Sequence, residues 1–69
     1  LEFIVNQNCR MMGIRLQDMK TRPNLLVAAI NRQGKVIIPG GQDSFEAGDS
    51  VIIVTTETGL QDIHEILAE

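Results

Sequence analysis

The residues of this chain that could act as a nucleophile or a general base are few and far apart. His64 is the only histidine and Cys9 the only cysteine, and they stand near opposite ends of the sequence. Nucleophilic catalysis needs a base within hydrogen-bond reach of the attacking group, and neither Ser44 nor Ser50 has a base beside it. We therefore expect no enzyme active site, and we interpret His64 as a partly exposed helix residue and Cys9 as an incidental thiol.

Three carboxylates, Asp43, Glu46 and Asp49, recur at a spacing that could suggest a site for a hard cation. A calcium loop alternates its oxygen ligands and ends on a bidentate glutamate, and this spacing does neither. The segment is better explained as a turn, in which Gly48 takes a positive φ and Asp49 bonds to nearby backbone. We expect no metal site in this chain.

A cationic cluster at a predicted hairpin turn is of more chemical interest. Arg32 and Lys35 flank the turn, with Asn31 beside them. Apolar residues lie just behind it, namely Ile30, Val36 and Ile38. If a second copy docked here, the two would enclose a groove with apolar walls and a cationic rim, which suits a flat anionic ligand such as a nucleotide. The plainer alternative is that these cations are simply solvated.

Length and composition limit the chain to one small domain over residues 1–69. At this size only about 60% of the unfolded surface is buried, and a single cysteine offers no internal disulfide. The net charge of −3 and the presence of only two aromatic residues argue against a nucleic-acid partner. No stretch approaches the roughly 20 apolar residues of a membrane span. Because the chain opens on Leu1 within a predicted strand, we expect it to be part of a longer protein.

The hydrophobic pattern predicts the element order β-α-β-β-β-α. Strands are predicted at residues 2–5, 25–31, 35–38 and 51–55. The second and third form a hairpin, in which Gly34 supplies the positive φ that a tight turn requires. In the connection to the last strand, Phe45 is the expected inward anchor. The prediction is an α+β fold with a mostly antiparallel sheet packed against two short helices.

These two helices are predicted to cover one face of the sheet. The first spans residues 11–19, begins near Gly13, and carries Met12, Leu16 and Met19 at helical spacing. The second opens on a capping box in which the Thr58 hydroxyl meets the Gln61 N–H. It is expected to bury Leu60, Ile63, Ile66 and Leu67 and to expose Asp62, Glu65 and Glu69.

Both faces of the predicted strands are apolar, which predicts a homodimer. Successive side chains point to opposite faces of a sheet, so an uninterrupted aliphatic run is buried on both sides. Leaving four large aliphatic side chains exposed on the second face would forgo ~1.5–3 kcal/mol each. The sum, on the order of 6–12 kcal/mol, rivals the stability of an ordinary domain. A twofold pairing would recover this free energy.

Two stretches of the sequence resemble a known family. They are Asn24-Leu25-Leu26-Val27-Ala28-Ala29-Ile30-Asn31-Arg32-Gln33-Gly34-Lys35-Val36-Ile37-Ile38-Pro39 and Phe45-Glu46-Ala47-Gly48-Asp49-Ser50-Val51-Ile52-Ile53-Val54. A strand ending in Arg, then Gly-Lys, Val-Ile-Ile-Pro and Gly-Asp-x-Val in this order, resembles the TrkA-C or RCK-C domain of bacterial regulators of potassium conductance. The segment 13–19 resembles the short first helix of that family, so the resemblance covers nearly the whole chain.

The resemblance implies a cytoplasmic, dimeric regulatory domain that follows a nucleotide-binding domain and passes a ligand signal to a membrane potassium transporter. Because this chain has no Gly-x-Gly-x-x-Gly, NAD or ATP would bind only in that upstream domain, and no cofactor is expected here. Some family members bind cyclic di-AMP between two subunits. By position, the residues implied for such a ligand are Leu26, Ile30, Asn31, Arg32, Ile38 and Pro39.

In this interpretation Arg32 pairs with a phosphate while Ile30 and Ile38 pack on the purine. Two alternatives stay open at this point. The domain could be a purely structural dimerisation module without a ligand, or it could regulate a transporter of another cation.

Overall fold

The computed structural model describes residues 1–68 and contains a single four-stranded sheet. The strands are β1 (Glu2–Ile4), β2 (Leu25–Arg32), β3 (Lys35–Ile37) and β4 (Ser50–Thr55). Their spatial order is β1-β4-β2-β3, and every neighbouring pair is antiparallel. The predicted α+β class with its antiparallel sheet is confirmed.

The β2–β3 hairpin is closed by a two-residue turn. Gln33 has φ 54° and Gly34 has φ 84°, and Arg32 pairs with Lys35 across the turn. Two successive residues with positive φ form the kind of turn whose twist matches that of the flanking strands. The prediction that Gly34 supplies a positive φ is confirmed.

The helix predicted over residues 11–19 is wrong, because only a three-residue 3₁₀ turn, Leu16–Asp18, forms there. Gly13 has φ 81° and Arg15 is extended, so no helix can start at Gly13. The N–H of Leu16 donates to the carbonyl of Asp43 and that of Gln17 to the carbonyl of Gly41, both at 2.9 Å. These loop carbonyls take the place of helical hydrogen bonds.

The C-terminal helix is also shorter than predicted, a 3₁₀ turn at Ile63–Ile66. Its cap is Asp62, which forms a reciprocal capping box with Glu65, and not the predicted pair of Thr58 and Gln61. Gly59 lies between that pair with φ 84°, which a helical turn does not allow. The expected exposure of Asp62 is confirmed, Glu65 is partly buried, and Glu69 lies outside the described residues.

The core lies on one face of the sheet, which we call the inner face. Both 3₁₀ turns, the loops that flank them and the 38–49 loop cover it. Phe45 is fully buried there, which confirms it as the inward anchor. The core residues are Val5, Cys9, Met11, Ile30, Phe45, Val51, Ile53, Ile63 and Ile66.

Although the C-terminal segment has only one short helical turn, it is anchored through both backbone and core. The backbone N–H of Arg22 donates to the carbonyl oxygen of Ile66 at 2.8 Å. The N–H of Ala68 donates to the carbonyl oxygen of Lys20 at 2.9 Å. The side chain of Ile66 is 0% exposed. The segment is therefore part of the cooperative fold.

Replacing Ile66 by alanine is expected to lower the free energy of unfolding by about 2–5 kcal/mol, because the lost methyl groups leave a cavity that cannot collapse. Urea denaturation followed by circular dichroism measures this change. The matched control is Ile14→Ala, since Ile14 is 40% exposed and lies off the sheet, and it should change stability by less than about 0.5–1 kcal/mol. Equal effects of the two substitutions would contradict the anchoring of the C-terminal segment.

Candidate functional site

The second face of the sheet, which we call the outer face, is apolar and uncovered within residues 1–68. Strand register and the alternation of side chains place these residues on it: Glu2, Ile4, Leu26, Ala29, Asn31, Val36, Ile38, Ser50, Ile52 and Val54. Five of the aliphatic ones, Ile4, Leu26, Val36, Ile38 and Val54, are between 58% and 77% exposed. A contiguous apolar surface of this kind is typical of an interaction site.

A β-bulge decides which residues of β2 belong to the outer face. The register with β4 shifts between Val27 and Ala29, so Ala28 is an extra residue in the strand. An extra residue reverses the alternation of side chains beyond it. Leu26 and Ala29 consequently share the outer face, while Ile30 points to the inner face.

The bulge separates two residues that the resemblance grouped together as ligand contacts. Leu26 is exposed, whereas Ile30 is 1% exposed and belongs to the core. The expectation that Ile30 packs on a purine is therefore not supported by its position, because it offers no surface to a ligand.

The other apolar and amide candidates do lie at the surface. Asn31 is exposed on the outer face, between Val36 of β3 and Ser50 of β4 in the strand register. Ile38 is exposed and directly follows β3, and Pro39 after it is partly buried. The structure thus places Asn31 and Ile38 on the hairpin side of the outer face, and Pro39 follows at the start of the 38–49 loop. Leu26 lies at the other end of β2.

At the Leu26 end, a groove of about 340 Å³ runs along the sheet. It is lined by Pro23, Asn24, Leu25, Leu26, Val54, Thr55 and Thr56. Its volume is near the lower limit of small-molecule sites in proteins. A larger ligand would need additional walls, which a second copy of the chain can supply.

Arg32 forms a bidentate ion pair with Asp49 beneath the outer face. The Nε and Nη2 atoms of Arg32 lie 2.9 and 2.8 Å from the two carboxylate oxygens of Asp49. Asp49 is 1% exposed, whereas the side chain of Arg32 is 25% exposed. Paired planar groups in this fork geometry form among the strongest charge-assisted hydrogen bonds in proteins.

Arg32 also contacts two acceptors in the loop before β4. Its Nη2 donates to the carbonyl oxygen of Ser44 at 2.9 Å, and its Nη1 lies 3.1 Å from the carboxylate of Glu46. Asp49 accepts in addition from the backbone N–H of Glu46 at 2.9 Å. The expectation that Asp49 bonds to nearby backbone is confirmed, but its partnership with Arg32 was not foreseen.

Each partner stabilises the charged form of the other. Hydrogen bonds from the Arg32 guanidinium lower the pKa of Asp49, and burial of the carboxylate opposes this only in part. The hydrogen bonds to Asp49 likewise raise the pKa of Arg32. The pair is therefore ionised throughout the physiological range.

His64 and Cys9 are close to one another in the fold but are not arranged for catalysis. Nδ1 of His64 lies 2.7 Å from the Asp62 carboxylate, and its Nε2 accepts from the backbone N–H of Arg10 at 3.2 Å. Both ring nitrogens are thus occupied, and the backbone N–H of His64 lowers the pKa of Asp62. The thiol of Cys9 is buried in the core.

Among residues 1–68, no three His, Cys, Asp or Glu side chains are grouped so that they could hold a metal ion. Within the same residues, none of the helical segments has the length and apolarity needed to cross a bilayer.

Comparison with known proteins identifies the family. The profile of the TrkA-C domain matches residues 1–68. The chain belongs to the TrkA-C family. Its relatives include two proteins of Methanosarcina mazei named Trk system potassium uptake protein TrkA homolog 1 and homolog 2, with 28% and 30% identity over 94% and 96% of the chain. A TrkA homolog of Pyrococcus abyssi is 26% identical over 97% of the chain.

The chain corresponds to a small part of these relatives. It spans 16% and 15% of the two Methanosarcina proteins and 30% of the Pyrococcus protein. A solved structure described as "Structure of RCK domain with cda" superposes with a TM-score of 0.69 at 22% identity, covering 84% of this chain and 80% of that one. The TrkA-C chain therefore has an RCK-type fold.

The ion pair predicts how the stability of this TrkA-C domain depends on pH. Because the pKa of Asp49 is lower in the folded state than its ordinary value of 3.8, the folded form binds this proton less tightly than the unfolded form. Its contribution is complete above the unfolded pKa and is lost as pH falls through the folded value. Stability should therefore fall steeply below about pH 4.

Asp49→Asn removes this proton-linked term, so its stability should depend less on pH in the acidic range. It should also be less stable at neutral pH by about 1–3 kcal/mol, because the Arg32 guanidinium and the backbone N–H of Glu46 lose a charged acceptor. Thermal unfolding between pH 3 and pH 7 measures both effects. Asp18→Asn is the control, since the Arg15–Asp18 pair is exposed and contributes at most about 1 kcal/mol. If the stability of Asp49→Asn fell with pH below about pH 4 as steeply as that of the wild type, Asp49 would not be the group responsible.

Proposed function

We propose that this domain is a dimerising, ligand-responsive regulatory module of a potassium uptake system, cytoplasmic and bound to a membrane transporter. The observation that carries the proposal is the uncovered apolar outer face of the sheet. The names of the relatives support the ion system, since they are Trk potassium uptake proteins. A regulatory rather than enzymatic role is in line with the engaged ring nitrogens of His64 and the buried thiol of Cys9.

The outer face supports a second copy of the chain as its partner. Full burial of each exposed aliphatic side chain would contribute ~1.5–3 kcal/mol, and five such side chains lie on this face. The face is also nearly free of charge, since Glu2 at the β1 edge is its only ionisable residue within the described part of the chain. Two copies can therefore approach without bringing many like charges together, and a twofold axis would place the same residues of each copy opposite one another.

A cyclic dinucleotide is the ligand class that we propose for the groove between two copies. The family resemblance implies cyclic di-AMP in some members, and the RCK neighbour is described with cda. We propose that Ile38 and Leu26 provide apolar walls, that Pro39 adds a rigid edge, and that the Asn31 amide donates and accepts hydrogen bonds with a base. A ligand of this kind shifts the arrangement of the subunits only by its difference in affinity for the alternatives.

NAD or ATP, where the full protein binds one, is proposed to bind outside this chain, in a preceding domain. The chain carries no glycine fingerprint for a dinucleotide.

Leu26→Glu should disrupt the proposed dimer, because it places an unpartnered charge on the apolar outer face. Sedimentation velocity at micromolar concentration should give a dimer for the wild type and a monomer for the variant. Ile14→Glu is the control, because Ile14 is exposed away from the outer face and its replacement should leave the dimer intact. A wild-type chain that sediments as a monomer would refute the dimeric function.

Isothermal titration calorimetry with cyclic di-AMP tests the ligand. The wild type should show saturable binding, and Asn31→Ala should weaken it by about three- to tenfold, the effect expected from losing one or two hydrogen bonds. Asn8→Ala is the control, since Asn8 is exposed in a distant loop. Sedimentation of Asn31→Ala would show whether the dimer is retained. A dimer that binds no cyclic di-AMP would instead favour the purely structural module.

A further inference from the structure

We propose that Arg32 and Asp49 are positioning residues of the ligand site, and that Arg32 holds the site in shape without contacting a ligand phosphate. This inference rests on the proposed cyclic dinucleotide site. It assigns the ion pair the role of fixing the hairpin and the loop that carry the proposed contacts Asn31, Ile38 and Pro39.

The ion pair lies directly beneath the most polar part of the outer face. Asn31 and Ser50 are opposite one another in the β2–β4 register. Arg32 follows Asn31 and Asp49 precedes Ser50, so both point to the inner face. The bidentate pair therefore ties together the ends of β2 and β4 at the point from which the Asn31 amide projects. Any change in this pairing alters where that amide lies.

The same guanidinium also holds the 38–49 loop. Its bond to the carbonyl of Ser44 fixes the middle of the loop, and its Nη1 lies 3.1 Å from the largely exposed carboxylate of Glu46 in the turn before β4. Ile38 and Pro39 form the start of this loop and are attached to Arg32 from the other side through the hairpin. Arg32 thus connects the β2–β3 hairpin with the 38–49 loop, in which the proposed apolar contacts Ile38 and Pro39 lie.

Electrostatics argue against a direct role of Arg32 in phosphate binding. Its Nε, Nη1 and Nη2 atoms are all engaged, with Asp49 as the bidentate partner. Turning the guanidinium towards a ligand would leave the carboxylate of Asp49, at 1% exposure, without its counter-charge. Leaving one member of a buried ion pair unpaired is strongly unfavourable. A phosphate would have to repay this cost before gaining any affinity.

Asp49→Asn separates the two roles because they predict opposite results. If Arg32 contacted phosphate, removing the charge of Asp49 would free the guanidinium and tighten binding of cyclic di-AMP. If Arg32 is a positioning residue, Asp49→Asn should weaken binding about tenfold or more, because the competent arrangement of the site is less populated. Arg32→Ala should weaken binding by a similar factor. The double variant Arg32→Ala/Asp49→Asn should bind cyclic di-AMP no more weakly than either single variant, because the two substitutions remove the same interaction.

Two further measurements keep the test decisive if Asp49→Asn does not fold. Glu46→Gln frees Nη1 of Arg32 but leaves the bidentate pair intact, and Glu46 is largely exposed. If Arg32 is a positioning residue, Glu46→Gln should bind cyclic di-AMP with an affinity within twofold of the wild type. If Arg32 contacts a phosphate, Glu46→Gln should bind more tightly. Positioning also predicts that Arg32→Ala leaves the salt dependence of cyclic di-AMP binding unchanged, whereas losing a phosphate contact would reduce its slope. Asp18→Asn is the matched control for a loss of one negative charge.

The outcomes distinguish this inference from the function on which it rests. No binding of cyclic di-AMP to the wild type would overturn the proposed ligand. Binding by the wild type that tightens in Asp49→Asn or Glu46→Gln would overturn the positioning role and make Arg32 a phosphate contact. Weaker binding by Asp49→Asn and Arg32→Ala, with an unchanged salt slope, would support it.

Discussion

The structure depends on one constraint, which is that a chain of 69 residues has enough material to cover only one face of its sheet. The loops, both 3₁₀ turns and Phe45 are all used on the inner face, where the core forms. The outer face carries aliphatic side chains of the same kind but has no cover among residues 1–68. A small domain with this arrangement gains stability most readily by pairing with another surface of equal shape. The fold and the proposed regulatory role therefore have the same physical origin.

The bulge at Ala28 determines which side chains the outer face presents to the proposed partner and ligand. Without it, regular alternation would place Leu26 and Ile30 on the same side, and the core would lose a large residue at its centre. With it, Ile30 completes the core while Ala29 and Asn31 lie on the outer face. The outer face therefore carries the Asn31 amide in place of Ile30, and the small Ala29 beside it leaves room above β2. One inserted residue thus separates the side of the strand that forms the core from the side proposed for recognition.

Local features of the sequence were predictable and features that depend on distant residues were not. The aliphatic runs gave the strands, and the Gln33-Gly34 turn and the Phe45 anchor followed from short-range chemistry. Residues 11–19 have a helical pattern, but their N–H groups find carbonyls of the 41–43 segment, which only the folded chain brings near. Of the six candidate contacts, Ile30 was misplaced because a bulge leaves no mark in the hydrophobic pattern. The partner of Arg32 lies 17 residues away and could not be identified from spacing.

The energetics of the Arg32–Asp49 pair fit its place beside the proposed recognition surface. Desolvation offsets much of the attraction within a buried ion pair, so an apolar pair of similar volume would often stabilise a fold equally well. What apolar packing does not provide is a fixed direction, because dispersion contacts tolerate sliding and rotation. The planar guanidinium accepts only one orientation of the carboxylate, and its bond to Ser44 adds a third fixed point. The main effect of the pair is therefore to fix the hairpin, the 38–49 loop and β4 relative to one another. Its net contribution to the free energy of unfolding is smaller than that role suggests. The proposed ligand site needs the Asn31 amide, Ile38 and Pro39 in one geometry, and the ion pair would hold the segments that carry them in that geometry.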